Sequence, residues 1–347
     1  MNRIKIKQGT LAWEKLRSAK IGSSEVFDIV RYYALPEELL NCGIDAEKIS
    51  GEKPYTTAWA LYHKILNDGF YKKEKLPEEF AEYGHCVEPY GMHVLQKGRE
   101  KKLKSGLVFA NDRLIASLDV SGTAEKIDEE HGFDYGTGAP KTNEKFVCEQ
   151  KTMMPERVKK GIPYKYIIQA QYQILQTKAD FYILQIMILN EDTPFIRGKI
   201  CQMSRKKKFE YLDANMKVMH FYFKNNAHLS KLIEVCLERF FEDVKNKKEP
   251  LPFIECDSQQ NIIESIRLNS AFDDEKKICY DLSHFMSAKK QEDTAEEEKK
   301  NELQKIIELA KQNNAVSFYG TNAVGKFSKN GRFLTKELKD EALSISE

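Results

Sequence analysis

The chain has 347 residues, 41% hydrophobic and 31% charged, with 18 Gly and 10 Pro; this excludes collagen-like, mucin-like and disordered classes and indicates a globular protein. The 55 Lys and Arg stand against 53 Asp and Glu, and a net charge of only +2 excludes a uniformly basic nucleic-acid binder while leaving room for local basic patches. At about 100–200 residues per domain, the length suits two domains or one domain with an appendage.

The first residues are charged with no apolar stretch behind them, so no signal peptide is expected. The most apolar run, Phe181–Leu189, is broken by Gln185 and falls far short of the ~20 residues of a spanning helix, so a soluble, cytoplasmic protein without membrane segments is expected. The 7 cysteines are scattered and never form Cys-x-x-Cys, which argues against a disulfide framework, a structural zinc site or an iron–sulfur cluster.

Residues 10–33 read as two helices with Leu11, Trp13, Leu16 and then Val26, Ile29, Val30 as apolar faces, separated by Gly22-Ser23-Ser24 with a capping residue. A helix at 57–67 follows, then one over Phe80–Leu95 that Pro89 must kink or start. The period then changes. Gly106–Ala110 and Leu114–Val120 are expected strands around Asn111-Asp112-Arg113, and Phe146–Thr152 is a third. Tyr164–Gln176 reads as a helix, Phe181–Leu189 as a buried strand with Phe195–Cys201 as another, and 207–224 and 228–245 as helices. This order predicts an α/β fold with a central mixed sheet flanked by helices. Pro250-Leu251-Pro252 divides a domain at 1–249 from a C-terminal extension at 250–347. In that extension 287–312 reads as a long exposed helix of nearly balanced charge, and Ala315–Leu334 as a hairpin or short meander.

The sharpest chemical feature is Phe146-Val147-Cys148-Glu149-Gln150-Lys151. Residues i and i+2 of a strand share a face, so Glu149 and Lys151 project together from a rigid element, a carboxylate and an ammonium able to hold a divalent metal and a water beside a phosphodiester. Asp119 at the end of an apolar strand supplies a second carboxylate, and Glu88 on the preceding helix is a third candidate. Each acid alone also fits a surface residue. Tyr166, Gln169, Gln173 and Gln176 form a polar stripe on the following helix, suited to phosphate oxygens or bases, or else simply an exposed face. Basic runs at Lys97–Lys104, Arg157–Lys165 and Arg205–Lys208 could neutralise backbone phosphates or be solvated surface. Gly136-Thr-Gly138-Ala-Pro140-Lys141-Thr142 looks like a phosphate loop but has Pro before Lys141 and lies in a polar loop.

Five ordered blocks between Gln8 and about Leu189 together resemble the lambda-type phage exonucleases, the YqaJ-like viral recombinases, a branch of the restriction-endonuclease-like PD-(D/E)xK metal nucleases. The blocks are Gln8-Gly-Thr-Leu-Ala-Trp13-Glu-Lys-Leu-Arg17 continuing to Ile21-Gly-Ser-Ser24-Glu-Val26, then Tyr83-Gly84 with Glu88-Pro89, Ser117-Leu-Asp119, Glu149-Gln-Lys151, and Tyr166-Ile-Ile-Gln169-Ala-Gln171. The resemblance implies a restriction-endonuclease-like core and a catalytic set of Asp119, Glu149 and Lys151 with Glu88. It also implies metal ligation by Glu88, Asp119, Glu149 and the Gln150 carbonyl, with Mg²⁺ or Mn²⁺ as cofactor. Arg17, Ser24, Ser117 and Gln169 match positions that receive a 5′-phosphate, with Arg157 more loosely placed and Tyr166 heading the last block. The implied activity is digestion of linear duplex DNA from 5′-phosphorylated ends to mononucleotides in phage-type recombination, by a ring-shaped homotrimer partnered by a single-strand annealing protein. An endonuclease on the same fold, and a catalytically silent DNA-binding or scaffold protein, are the alternatives. Leu118 stands where the family usually has Pro and Val120 where Gly is common, which touches no ligand atom but puts the local turn in question.

Overall fold

The computed structural model describes residues 1–66, 78–126, 140–253, 257, 277–279, 295–319, 323–327 and 333–337. It divides into two compact units, one of Met1–Tyr55 with Lys73–Lys245 and one of Thr56–Lys72 with Asn246–Glu347. Relative to a division at 249/250, the C-terminal unit begins at Asn246 and also takes in residues 56–72.

The first unit begins with β1 (Asn2–Ile4), α1 (Leu11–Ser18), β2 (Ile21–Gly22), α2 (Val26–Tyr33), α3 (Pro36–Asn41) and α4 (Ala46–Gly51). Past α5 (Ala58–Leu66), which belongs to the second unit, it continues with α6 (Glu78–Gln96), β3 (Lys104–Ala110), β4 (Leu114–Thr123), β5 (Lys145–Thr152), α7 (Pro155–Val158) and α8 (Tyr164–Thr177). It ends with β6 (Phe181–Leu189), α9 (Pro194–Gln202), α10 (Arg205–Asn215), β7 (Met216–Lys224) and α11 (Ala227–Lys245). The strand order is β1-β3-β4-β5-β6-β7, with β2 alongside β4. β3, β4 and β5 form an antiparallel meander, β5 and β6 are parallel from Phe146↔Phe181 to Thr152↔Met187, and β7 is antiparallel to β6. A parallel pair requires a crossover, and α8 provides it. Every residue of β6 is buried, because α8 covers one face of the sheet and α6 the other. The expected central mixed sheet flanked by helices is present.

Three expectations are corrected. Phe195–Cys201 is helix α9 rather than a strand: Thr193 accepts the Ile196 N–H and Pro194 occupies the first turn, start signals that outweigh the short apolar run. The helix over 207–224 ends at Asn215, and Met216–Lys224 pairs with β6 along its whole length. Its aromatic-rich alternation suits a pleated surface better than a helix. Between α1 and α2 lies the short strand β2, and Ser24 does not cap α2; instead Glu25 accepts the Gly22 N–H at 2.8 Å and closes the turn.

In the second unit, β8 (Lys277–Cys279), α12 (Ala295–Asn313), β9 (Ser317–Tyr319), β10 (Ala323–Phe327) and β11 (Phe333–Glu337) follow α5. The sheet order is β11-β10-β9-β8, antiparallel except for β8 with β9, which fulfils the expected meander. Helix α12 is not a wholly exposed rod. Ile306, Ile307 and Ala310 line up at helical spacing and pack with Trp59 and Ala60 of α5 and with Phe318 and Phe327. Residues 127–139, with Gly136 and Gly138 of the loop resembling a phosphate loop, and 287–294 of the predicted long helix lie outside the described residues. Among the described residues no helix is long and apolar enough to cross a membrane.

Candidate active site

The site is built where β4 and β5 part company. Their ladder runs from Thr123↔Lys145 to Val120↔Cys148 and stops there, so Asp119 and Glu149, the next residues along each strand, are not paired. On its other side the β3–β4 register passes from Ser105↔Val120 to Leu107↔Leu118, stepping over Asp119. Leu118 packs in the cluster beneath α8, whereas Val120 packs in the cluster on the α6 face. Residues two apart in a regular strand share a face, so β4 turns over at Asp119 and re-aims that side chain, as a bulge does. The two positions at which the sequence departs from the resembled pattern, Leu118 and Val120, are thus the ones that anchor this turnover.

The backbone groups freed by the splay find side chains. Gln150 N–H donates to Asp119 Oδ2 at 2.8 Å, and Gln8 Nε2 donates to the Leu118 carbonyl at 3.1 Å. Unpaired buried backbone groups are costly, so these contacts make the splay stable rather than frayed. On β5, Glu149 is buried and Lys151 is half-buried, on the α8 face. Lys151 Nζ lies 2.6 Å from Glu149 Oε1, and Gln173 Nε2 donates to Glu149 Oε2 at 2.9 Å, so both carboxylate oxygens are held. Lys151 also faces the Tyr166 ring at 5.7 Å.

The charges are out of balance. Burial, and then the Glu149 carboxylate, push the Asp119 carboxyl well above its ordinary range. Burial alone would lower Lys151, but Glu149, Tyr55, Asp119 and Tyr166 hold it above its ordinary value. Tyr55, partly buried against the same cluster, is itself raised by burial and by Tyr166. Lys165 sits over the Tyr55 ring at 4.4 Å, and burial, with Arg157 and Lys151 as nearby cations, lowers it.

The remaining predicted residues fall into separate groups. Arg17 stacks over Trp13 at 5.0 Å, and Trp13 Nε1 donates to Ser117 Oγ at 3.1 Å, which brings Arg17 and Ser117 to one tryptophan. The parallel register Ile21↔Leu114 and Gly22↔Ile115 carries the following turn, with Ser24, toward Ser117. Gln169 is only 3% exposed and its Oε1 has no hydrogen-bond partner, a buried acceptor one helical turn before Gln173. The polar stripe of α8 therefore faces inward; Gln169 and Gln173 are buried, and an exposed face is excluded for both. Arg157 is exposed on α7. Glu88 lies at the edge of the site: its carboxylate is 43% exposed and 3.3 Å from His85 Nδ1, yet its charge still adds to the push on Asp119. Among the described residues, no three His, Cys, Asp or Glu side chains are drawn together closely enough to hold a metal ion.

One supporting layer escaped the sequence. On the α6 face, Gln150, Gln185 and His220 lie in register across β5, β6 and β7, with Gln150 Nε2 2.7 Å from Gln185 Oε1 and Gln185 Nε2 2.9 Å from His220 Nε2. Gln185 Nε2 also donates to the Gly91 carbonyl at 3.1 Å. The signal was Gln185 itself, a polar residue inside the most apolar run of the chain.

No family model and no curated protein matches this sequence. Among solved structures the chain is similar to a phage-related exonuclease from Haemophilus somnus 129PT, with a TM-score of 0.40 and 10% identity over 67% of this chain and 98% of that one. It is also similar to the alkaline exonuclease LHK-Exo from Laribacter hongkongensis, with a TM-score of 0.39 and 12% identity over 69% of this chain and 96% of that one. The complex of LHK-Exo with dAMP gives a TM-score of 0.40 and 12% identity, over 76% of this chain and 99% of that one.

Proposed function

We propose that the chain is a metal-dependent nuclease that digests linear duplex DNA from 5′-phosphorylated ends. The observation that carries this reading is the convergence of Asp119, Glu149 and Lys151 at the point where β4 and β5 separate. The donor set suits a hard divalent cation: Asp119 and Glu149 bring two carboxylates close together, with the Lys151 ammonium beside them. Asp119, Glu149, the Gln150 main-chain carbonyl and Glu88, once turned from His85, are the residues that would hold Mg²⁺ or Mn²⁺. When bound, such an ion supplies Lewis acidity toward water and phosphoryl oxygen.

The chain's own residues do the rest. Lys151, beside Glu149, presents a cation to charge that develops on the phosphoryl group. Gln173 fixes the Glu149 carboxylate from the second side. Arg17 and Ser117, tied through Trp13, together with Ser24 and Gln169, form the candidate seat for a terminal 5′-phosphate group, and Arg157 and Tyr166 flank the DNA path. Gln169 would receive a phosphate through its amide N–H after rotating its side chain. Trimer formation and an annealing partner in recombination extend the same proposal.

Linear duplexes carrying 5′-phosphate or 5′-hydroxyl ends, and a covalently closed circle, are incubated with and without Mg²⁺ and the products sized. Rapid release of mononucleotides from the 5′-phosphorylated duplex alone supports the reading. Equal attack on the circle replaces it with an endonuclease, and DNA binding without digestion replaces it with a scaffold.

A further inference from the structure

Away from the carboxylates, α9 packs on α6, and one cysteine from each helix meets at that seam. Cys86 and Cys201 are both half-buried and pack in the same cluster; burial first, and the neighbouring Cys86 thiol second, push Cys201 up to about 12. Lys208 of α10 places its Nζ 2.8 Å from Cys86 Sγ. A cleft of about 300 Å³ lined by Cys86, Pro89, Arg205, Lys208 and Phe209 opens on this side, and Cys201 lines a separate cleft of about 280 Å³ with Arg197 and Gly198. By contrast, Cys148 and Cys236 have no exposed surface. Two neighbouring thiols at one helix seam, a cation against one of them and an open approach to each make a set that a lone buried cysteine lacks.

We propose that Cys86 and Cys201 are a dithiol modification site that closes to an intramolecular disulfide by exchange with a low-molecular-weight disulfide such as oxidised glutathione. Cys86 sulfur attacks one sulfur of that disulfide, forming a mixed disulfide and expelling one glutathione thiolate, which takes up the proton Cys86 gives up. Cys201 sulfur then attacks the Cys86 sulfur, the mixed disulfide breaks, and the second glutathione leaves with the Cys201 proton. In sum two protein thiols are oxidised and one external disulfide is reduced to two thiols. The Lys208 ammonium offsets negative charge on the attacking sulfur, and Arg205 and Lys208 at the cleft suit the carboxylates of the incoming molecule. The product ties α6 to α9 across the strands between them and restricts the unfolded chain.

The full chain is treated with oxidised glutathione, digested without reduction, and its linked peptides identified by mass spectrometry. The expected result is a Cys86–Cys201 link, reversed by dithiothreitol, with a rise of several degrees in melting temperature. Cys201→Ser should retain a stable glutathione adduct on Cys86, and Lys208→Gln should slow linkage by about 10-fold. Reduced Cys86→Ser and Cys201→Ser should melt within a few degrees of the parent chain, which separates lost chemistry from lost folding. Thiols that stay free, a link to a different cysteine, or an adduct on Cys201 instead of Cys86 would each overturn the proposal.

Discussion

The Asp119 carboxylate accepts the Gln150 main-chain N–H at 2.8 Å, across the gap where β4 and β5 cease to pair. One bond thus serves two ends. It satisfies a donor released by the splay, and it fixes a carboxylate beside Glu149 where, without a counter-ion, burial and repulsion oppose its charge.

Asp119→Asn should separate those two roles. The amide oxygen still accepts the Gln150 N–H, while the repelled charge disappears. Nuclease activity in Mg²⁺ should fall by about 100-fold or more, and the melting temperature of the metal-free protein should hold or rise, the trade-off expected where function keeps like charges together. Digestion assays and thermal melts on the same preparation check this; a melting temperature lowered by several degrees would mean that the charge itself holds the splay.

Gln173 is the positioning residue for Glu149, since it supplies the second donor to a carboxylate already bound by Lys151. Gln173→Leu leaves Glu149 Oε2 buried without that donor. A stability loss of about 1–3 kcal/mol is expected, together with a fall in kcat at nearly constant KM for DNA. A change confined to KM would place Gln173 among the DNA contacts instead.

Much of this site was legible in the sequence because strand geometry is local: the alternation around Glu149 and Lys151 puts both on one face whatever the rest of the fold does. Helix α8 and strand β6 were likewise found within a residue of their ends, since their periodicities are strong. What escaped depends on pairing between distant segments. Gln8 meets Leu118 across more than a hundred residues, and Gln150, Gln185 and His220 meet only because three strands fall into register. Strand β7 was hidden because its residues follow a helical run without a Gly or Pro between them. The grouping of α5 with α12 rests on tertiary packing of Trp59 against Ile306 and its neighbours, for which no local signal exists.

The Gln150–Gln185 layer requires a glycine above it. A Cβ on Gly91 would lie 2.5 Å from Gln150 Nε2, 2.6 Å from Gln185 Oε1 and 2.9 Å from Met187 Sδ. The two amide ends are buried and hydrogen-bonded, so they have little room to give. Gly91→Ala should cost about 1–3 kcal/mol and lower nuclease activity through Gln150. Two turns earlier in α6, a Cβ on Gly84 meets nothing within 4 Å. Gly84→Ala should therefore be neutral or stabilising by up to ~1 kcal/mol through helix propensity. Parallel denaturant melts of the two variants check the contrast, and equal losses in both would refute the account of Gly91.

In the second unit Glu249 ties α5 to α12, taking Trp59 Nε1 at 2.5 Å, His63 Nε2 at 2.9 Å and the Lys311 ammonium on one oxygen. Burial would raise this carboxyl, but the His63 hydrogen bond and the Lys311 charge prevail and lower it from 4.5 to about 2. A carboxyl depressed in the folded state adds stability that is complete above its unfolded value and is lost as pH falls toward its folded value. The window here runs from about pH 4.5 down to about pH 2, and the contribution at neutral pH is on the order of 3 kcal/mol. Glu249→Gln should lower stability by that order at pH 7 and should unfold with a shallower pH dependence than the parent chain across the window. The gap between the two proteins should close as pH approaches 2. Urea melts of both at pH 7, 4.5, 3.5 and 2.5, followed by near-ultraviolet dichroism of Trp59, measure it. A gap that stays constant with pH would assign the loss to packing of the substituted side chain rather than to the charge of Glu249.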